Sequence, residues 1–401
     1  MAKSVFRDIA DIDYPIIDAD AHVNEPPDLW QDRVPTKLRD RAPKVVHTDD
    51  GDWWSFDDGK RMRPLGFTAV AGLSYLDFKP SGITYEQTRP GSWDTKARLI
   101  DMDIDGIHAQ VLYPSVTLAG AQVYAGPNDR ELQLACVRAY NDWLADMCSS
   151  SEGRLIPQAI MPTTNIDDVV AEAERALGLG HKGMVISAFP NGSLDPDMSV
   201  DEPFWRLCED ANVPACVHIG SFIPVSSNMP MPSFRDRAFL GKAGATKAGS
   251  HTIPVASDLL FAGIFERIPR LKVLLVESNI GWIPTLLEQI DDMYLRYRFF
   301  TGQAEHDRWL PSEMFHRHVW ATFMKDSVGM DLRYRMNLNH IMWSTDYPHT
   351  GCNWPNSRVQ IEYLFRGLPL DEVKQFLHSN AKRLYNLDHI SDVLPDDARS
   401  T

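Results

Sequence analysis

Four apolar runs in this chain stop abruptly at an ionisable residue. Ile16-Ile17-Asp18-Ala19-Asp20-Ala21-His22 ends in two acids and a histidine, and Pro214-Ala215-Cys216-Val217-His218 ends in a histidine. Lys272-Val273-Leu274-Leu275-Val276-Glu277 ends in a glutamate, and Ile341-Met342-Trp343-Ser344-Thr345-Asp346 ends in an aspartate followed by Tyr347-Pro348-His349. In an extended chain, alternation places Asp18, Asp20 and His22 on one face. A carboxylate and an imidazole two residues apart are able to hold one cation between them. A single strand that stops at a polar residue means little. Several such ends brought together would repel one another, and a divalent cation is the usual remedy.

The elements that must bring them together follow from the rest of the chain. Short apolar runs without clean polar alternation are expected at 16–22, 107–113, 155–161, 183–187, 214–219, 272–277, 319–323 and 341–346. Such runs read as strands buried on both faces. Helical stretches separate nearly all of them, among them 94–103, 128–147, 167–177, 201–211, 254–266, 282–298 and 371–384. Eight strand–helix units predict an α/β (β/α)8 TIM barrel, in which the C-terminal strand ends form the working rim. An open doubly wound sheet is the alternative, and no GxGxxG or P-loop stretch supports its nucleotide-binding form. Residues 1–390 read as a single domain. It carries an insertion at about 44–91 with turn clusters around Trp53-Trp54-Ser55-Phe56, hence a hairpin after strand 1, and residues 391–401 read as a flexible tail. The insertion's aromatics (Trp53, Trp54, Phe56, Phe67, Tyr75) fit either a lid over an apolar ligand or a small core of their own.

A net charge of −15 argues against a nucleic-acid partner. No apolar run has the length of a membrane span or a signal peptide. Five scattered cysteines without a CxxC pair read as reduced thiols, so a cytoplasmic location is expected. Cys216 shares the face of His218 and reads as a small buried hydrophobe.

The motifs "DADAH" (18–22), "CVHIG" (216–220) and "STDYPH" (344–349) resemble the amidohydrolase superfamily. With "DMDIDGIHAQVLYPS" (101–115), "FERIPRLKVLLVES" (265–278) and "NAKRLYNL" (380–387), the chain is similar to the amidohydrolase-related group that includes aminocarboxymuconate semialdehyde decarboxylase and the resorcylate decarboxylases. The resemblance implies a mononuclear metal site with Asp20, His22, His218 and Asp346 as ligands. Many superfamily members have His-x-His at strand one, and Asp20 stands at the first of those positions here. Zn²⁺ is the first expectation, with Mn²⁺ or Fe²⁺ as alternatives. His251, just before a helix, resembles the acid/base histidine of the decarboxylases, and a packing or capping role is its structural alternative. Asp346 is a second candidate for proton transfer. Glu277 is open between orienting a ligand, binding a substrate cation and ligating metal itself. His349 either reaches the cavity or caps the next helix, and Glu25 is placed to support His22. His108, His181, His316 and His318 fall at strand beginnings and read as structural.

The implied activity is metal-dependent hydrolysis or non-oxidative decarboxylation of a small carboxylate, aromatic or unsaturated. A dinuclear metal-dependent monooxygenase on the same fold, with Glu277, His251 and His349 as spare ligands, and a non-catalytic partner subunit of a catalytic homologue are the rival readings. A small-molecule substrate and a homo-oligomer, at least a dimer, are the expected partners.

Overall fold

The computed structural model describes residues 12–117, 120–125, 128–186, 189–193, 198–221, 252–301 and 309–394. Within these, the apolar runs become strands. In chain order they are β1 (Ile17–Val23), β2 (Lys44–Thr48), β3 (Gly51–Phe56), β4 (Arg61–Pro64), β5 (Ala109–Pro114) and β6 (Leu155–Pro157), followed by β7 (Ala159–Ile160), β8 (Met184–Val185), β9 (Ala215–His218), β10 (Val273–Val276), β11 (Val319–Phe323) and β12 (Ile341–Trp343).

Two sheets are parallel throughout, in the orders β1-β5-β6 and β12-β11-β10-β9-β8-β7. Helices such as Thr95–Asp105, Arg130–Ser149, Ile166–Gly178 and Ile283–Tyr297 intervene between successive strands, as parallel crossovers require. The sheets do not form one continuous ladder, which corrects the expectation of an unbroken closed sheet. The run expected as one strand over 155–161 is split at Gln158 into β6, which pairs with β5, and β7, which pairs with β8. Pro157 has no N–H to offer a ladder at that point. On the other side, the chain after β12 meets β1 through two backbone bonds, from Asp346 N–H to Asp20 O at 2.9 Å and from His22 N–H to Tyr347 O.

Side-chain alternation sorts the parallel strands into two cores. Ile17, Ala19, Val111, Tyr113, Cys216, Leu274, Val276 and Met342 pack together with Tyr385. Their neighbours along the strands, such as Ala21, Leu112, Val217 and Leu275, join the larger core against the helices. The Cys216 thiol lies fully buried in the smaller core, and burial pushes it up to about 12, so it is an inert filler.

The segment after β1 folds as an antiparallel three-stranded sheet, β2-β3-β4. Trp54 and Phe56 are buried, and Trp54 meets Trp30 edge-to-face with ring centroids 5.3 Å apart. These two aromatics therefore build a core rather than line a ligand site, while Tyr75 stands out in solvent. The chain that follows leans on both ligand-bearing loops. Val70 N–H donates to Pro348 O at 3.0 Å, and Asn24 Nδ2 donates to Thr68 O at 2.8 Å. No helix of the described residues is long and apolar enough to cross a membrane.

Candidate metal centre

A β-bulge in β1 sets the aim of the first two ligands. Between Asp18 and Ala21 the chain advances three residues while its partner β5 advances two, from Gln110 to Leu112. The extra residue reverses the alternation. Asp18 is turned away from Asp20 and His22, correcting the single face expected for all three. Its carboxylate accepts from Gln110 Nε2 at 2.9 Å, Thr345 N–H at 2.9 Å and the Thr345 hydroxyl, and so ties β1 to the chain after β12. Burial pushes Asp18 up to about 7.

Asp20 and His22 face the other way, toward His218 and Asp346. His22 Nδ1 is 2.9 Å from Pro114 O, and His218 Nδ1 is 3.0 Å from Ile219 O. A carbonyl only accepts, so each Nδ1 carries the proton and each Nε2 presents a lone pair. The two Nε2 atoms are 3.1 Å apart. His22 Nε2 is also 3.3 Å from Asp346 Oδ1 and 3.4 Å from Asp20 Oδ1, and His218 Nε2 is 3.6 Å from Asp20 Oδ1. Two lone pairs do not face each other at that distance without a positive centre between them, a proton or a metal ion. Donors at ~2.1 Å from one ion sit roughly 3–3.5 Å apart, the spacing seen here. Both oxygens of Asp20 and Oδ1 of Asp346 are buried without a hydrogen-bond donor. Unpaired buried carboxylate oxygens beside two facing imidazole nitrogens are what a divalent cation satisfies. The residues present fit the group.

The electrostatics agree. Burial, then the Asp20 charge, push the Asp346 carboxyl well above its ordinary value, and burial with the Asp346 charge does the same to Glu277. Burial and the neighbouring imidazoles pull His22 well down. Burial also pulls on His218, but the Asp20 and Glu277 carboxylates outweigh it and hold this imidazole at about 9, so without a cation a proton stands on Nε2 in the cation's place. Asp346 sits in the left-handed region, φ +57°, a strained geometry for a non-glycine residue that turns its carboxylate into the site. Gly351 makes room for it, since a Cβ there would meet Asp346 Oδ2 at 2.7 Å.

The outlying candidates separate. His349 is in the site. Its ring stacks on His22 at 3.7 Å, its Nδ1 is 3.0 Å from Asp346 Oδ1, and its Nε2 bonds the Ser115 hydroxyl at 2.7 Å. Burial drives it down to about 3, so it is a neutral imidazole. Glu277 is in the site as well, with Oε2 3.7 Å from His218 Nε2. Glu25 is not. It accepts from Val116 N–H at 3.1 Å and braces the loop after β5. His251 lies outside the described residues. His181 and His318 are buried on backbone carbonyls of Asn141 and Leu271, in structural roles.

Burial raises Glu25 to about 8, against an ordinary value near 4.5. The unfolded chain therefore loses this proton first as pH rises. The stability contributed by the buried neutral carboxyl is complete below pH 4.5 and falls until pH 8. Glu25→Gln should not show this decline. Its stability relative to wild type should grow by on the order of 1 kcal/mol per pH unit between pH 5 and 8, measured by urea unfolding at each pH.

Three further residues carry the site and were not singled out in the sequence. Ser115 holds His349. Arg98 is fully buried, and its guanidinium donates from Nη1 and Nη2 to His22 O, both at 2.9 Å, and from Nε to Gln110 Oε1 at 2.6 Å. Gln110 passes the link on to Asp18.

Comparison with known proteins places this geometry. The amidohydrolase family model matches residues 17–387. The chain belongs to the amidohydrolase family. It is 28% identical over 264 residues to gamma-resorcylate decarboxylase from Polaromonas sp., covering 64% of this chain and 76% of that one. An amidohydrolase from Mycobacterium avium subsp. paratuberculosis K-10 shares its fold with a TM-score of 0.71 at 20% identity, over 93% of this chain and 99% of the other. A dihydroxybenzoic acid decarboxylase from Polaromonas sp., solved with bound manganese and the inhibitor 2-nitroresorcinol, superposes with a TM-score of 0.60 at 18% identity, over 94% and 98%. The named decarboxylases are carboxy-lyases, and this amidohydrolase is an enzyme of their family. The likeness to solved structures fixes an α/β fold of the same type.

Proposed function

We propose that this amidohydrolase is a divalent-metal-dependent, non-oxidative decarboxylase of a small aromatic or unsaturated carboxylate, working at the rim of a (β/α)8 frame. The observation that carries the reading is the 3.1 Å approach of the His22 and His218 Nε2 atoms beside the unpaired oxygens of Asp20 and Asp346. Its relatives named for resorcylate and dihydroxybenzoic acid decarboxylation support the substrate class. When bound, the cation would supply positive charge that draws the substrate's carboxylate to the site.

Asp20, His22, His218 and Asp346 would hold that cation. Four protein donors fill the tetrahedron that zinc prefers and leave no place for substrate. A cation that accepts five or six donors, of the Mn²⁺ or Fe²⁺ type, therefore replaces zinc as the first expectation. The neutral His349, clamped by Ser115 and stacked on His22, fixes the His22 ring and keeps one wall of the site uncharged. The reaction needs one proton delivered to the carbon that bears the carboxylate. The carbon–carbon bond then breaks, its electron pair stays with the ring, and CO₂ leaves. His251 is the proposed donor, on its place in the sequence next to the helix Thr252–Phe261.

The test is a panel of ortho-hydroxylated benzoates offered to the metal-replete enzyme in D₂O. CO₂ should evolve, and the product should carry deuterium at the vacated carbon. No CO₂ from any member, with turnover of ester or amide probes instead, would overturn the reading. His251→Ala should lower kcat by about 10²–10⁴-fold while metal content stays at the wild-type level.

A further inference from the structure

We propose that Glu277 is a fifth protein ligand of the cation, making the donor set two imidazoles and three carboxylates. This rests on the reading of the site given above and sharpens it. The β9–β10 register pairs Val276 with His218, so the next residue, Glu277, stands beside that histidine at the rim. The donor atoms of Asp20, His22, His218 and Glu277 all lie within 4.8 Å of one another.

The contact between Glu277 and His218 identifies the role. A carboxylate that merely orients a metal-binding histidine bonds the ring nitrogen that does not face the metal. In His218 that nitrogen, Nδ1, is engaged by Ile219 O. Glu277 Oε2 instead approaches Nε2, the atom aimed at the centre, at 3.7 Å. Among the described residues no Lys or Arg pairs with Glu277, and its one ion-pair contact is that histidine. Among the described residues only His218 offsets this nearly enclosed acid and the two acids beside it, and a bound cation would do so more completely.

The backbone is committed to this aim. Glu277 occupies the left-handed region at φ +56°, a strained geometry for a non-glycine residue. It is pinned there on both sides. Its own N–H donates to Thr322 Oγ1 at 2.7 Å, and Ile280 N–H and Gly281 N–H donate to Asp326 Oδ2 at 2.7 and 2.6 Å. A third carboxylate hardens the donor set and favours an oxygen-seeking, six-coordinate cation, with one position left for substrate.

The experiment uses Mn²⁺ with the full-length wild type and with Glu277→Ala, Glu277→Asp and His218→Ala. Free Mn²⁺ is followed by electron paramagnetic resonance, and bound-water number by water-proton relaxation. Both Glu277 variants should gain one metal-bound water, and Glu277→Ala should bind Mn²⁺ at least tenfold more weakly. Glu277→Asp keeps the charge but withdraws the oxygen. An unchanged water number in both variants overturns ligation, whatever happens to affinity. That result with His218→Ala still losing Mn²⁺ leaves the four-ligand site standing. Wild-type Mn²⁺ affinity in His218→Ala would overturn the site itself. Metal-free thermal melts of each variant report whether it is folded.

Discussion

His218→Ala should release the cation and lower kcat/KM by about 10³-fold or more, corresponding to roughly 4 kcal/mol of lost transition-state stabilisation. The size follows from where the imidazole stands. His218 Nε2 faces His22 Nε2, Asp20 and Glu277 at 3.1 to 3.7 Å, so its removal opens one whole side of the donor set. The Ala variant also removes the imidazole that offsets the Glu277 and Asp346 carboxylates when no cation is bound. Metal content by mass spectrometry and decarboxylation rate should therefore fall together. A variant that loses rate but keeps its metal would place His218 in proton transfer instead.

Arg98→Met should destabilise the folded protein by about 3–5 kcal/mol and weaken the cation by about 10–100-fold, though Arg98 does not face the site. Its guanidinium is fully buried, makes two 2.9 Å bonds to His22 O and one of 3.1 Å to Gly91 O, and lies 4.3 Å from the Tyr347 ring centroid. Methionine keeps the apolar stem and leaves these buried carbonyls without a donor. The consequence runs both ways along the chain. His22 O loses its anchor, and Gln110 loses its hold on the Asp18 carboxylate that fastens Thr345, next to Asp346. Urea unfolding at constant m-value measures the first effect, and Mn²⁺ titration the second. A loss below 1 kcal/mol with unchanged affinity would show the network to be passive.

Much of the site was legible because strand ends announce themselves. An apolar run that stops at Asp20, His22, His218 or Asp346 marks both the element and the rim where it ends, and Asp20, His218 and Asp346 each come within 3.4 Å of His22 Nε2. The supporting residues carry no such mark. Arg98 sits within the helix Thr95–Asp105 and Gln110 within β5, where one polar residue reads as a solvent-facing position until the partner element is known. The bulge that turns Asp18 from Asp20 is a register event between two strands, and alternation within one strand cannot reveal it. The break at Gln158 did have a signal in Pro157. Glu277 was visible as a strand end, but its role depends on which nitrogen of His218 it meets, and that is a distance rather than a pattern.

The most direct measurement is CO₂ release from an ortho-hydroxylated benzoate by enzyme stripped with a chelator and then titrated with Mn²⁺. Release should vanish in the stripped enzyme and return in proportion to bound Mn²⁺, reaching its plateau at one ion per chain. Full activity in the stripped enzyme, or a plateau only at two ions per chain, would contradict a single cation held by Asp20, His22, His218 and Asp346.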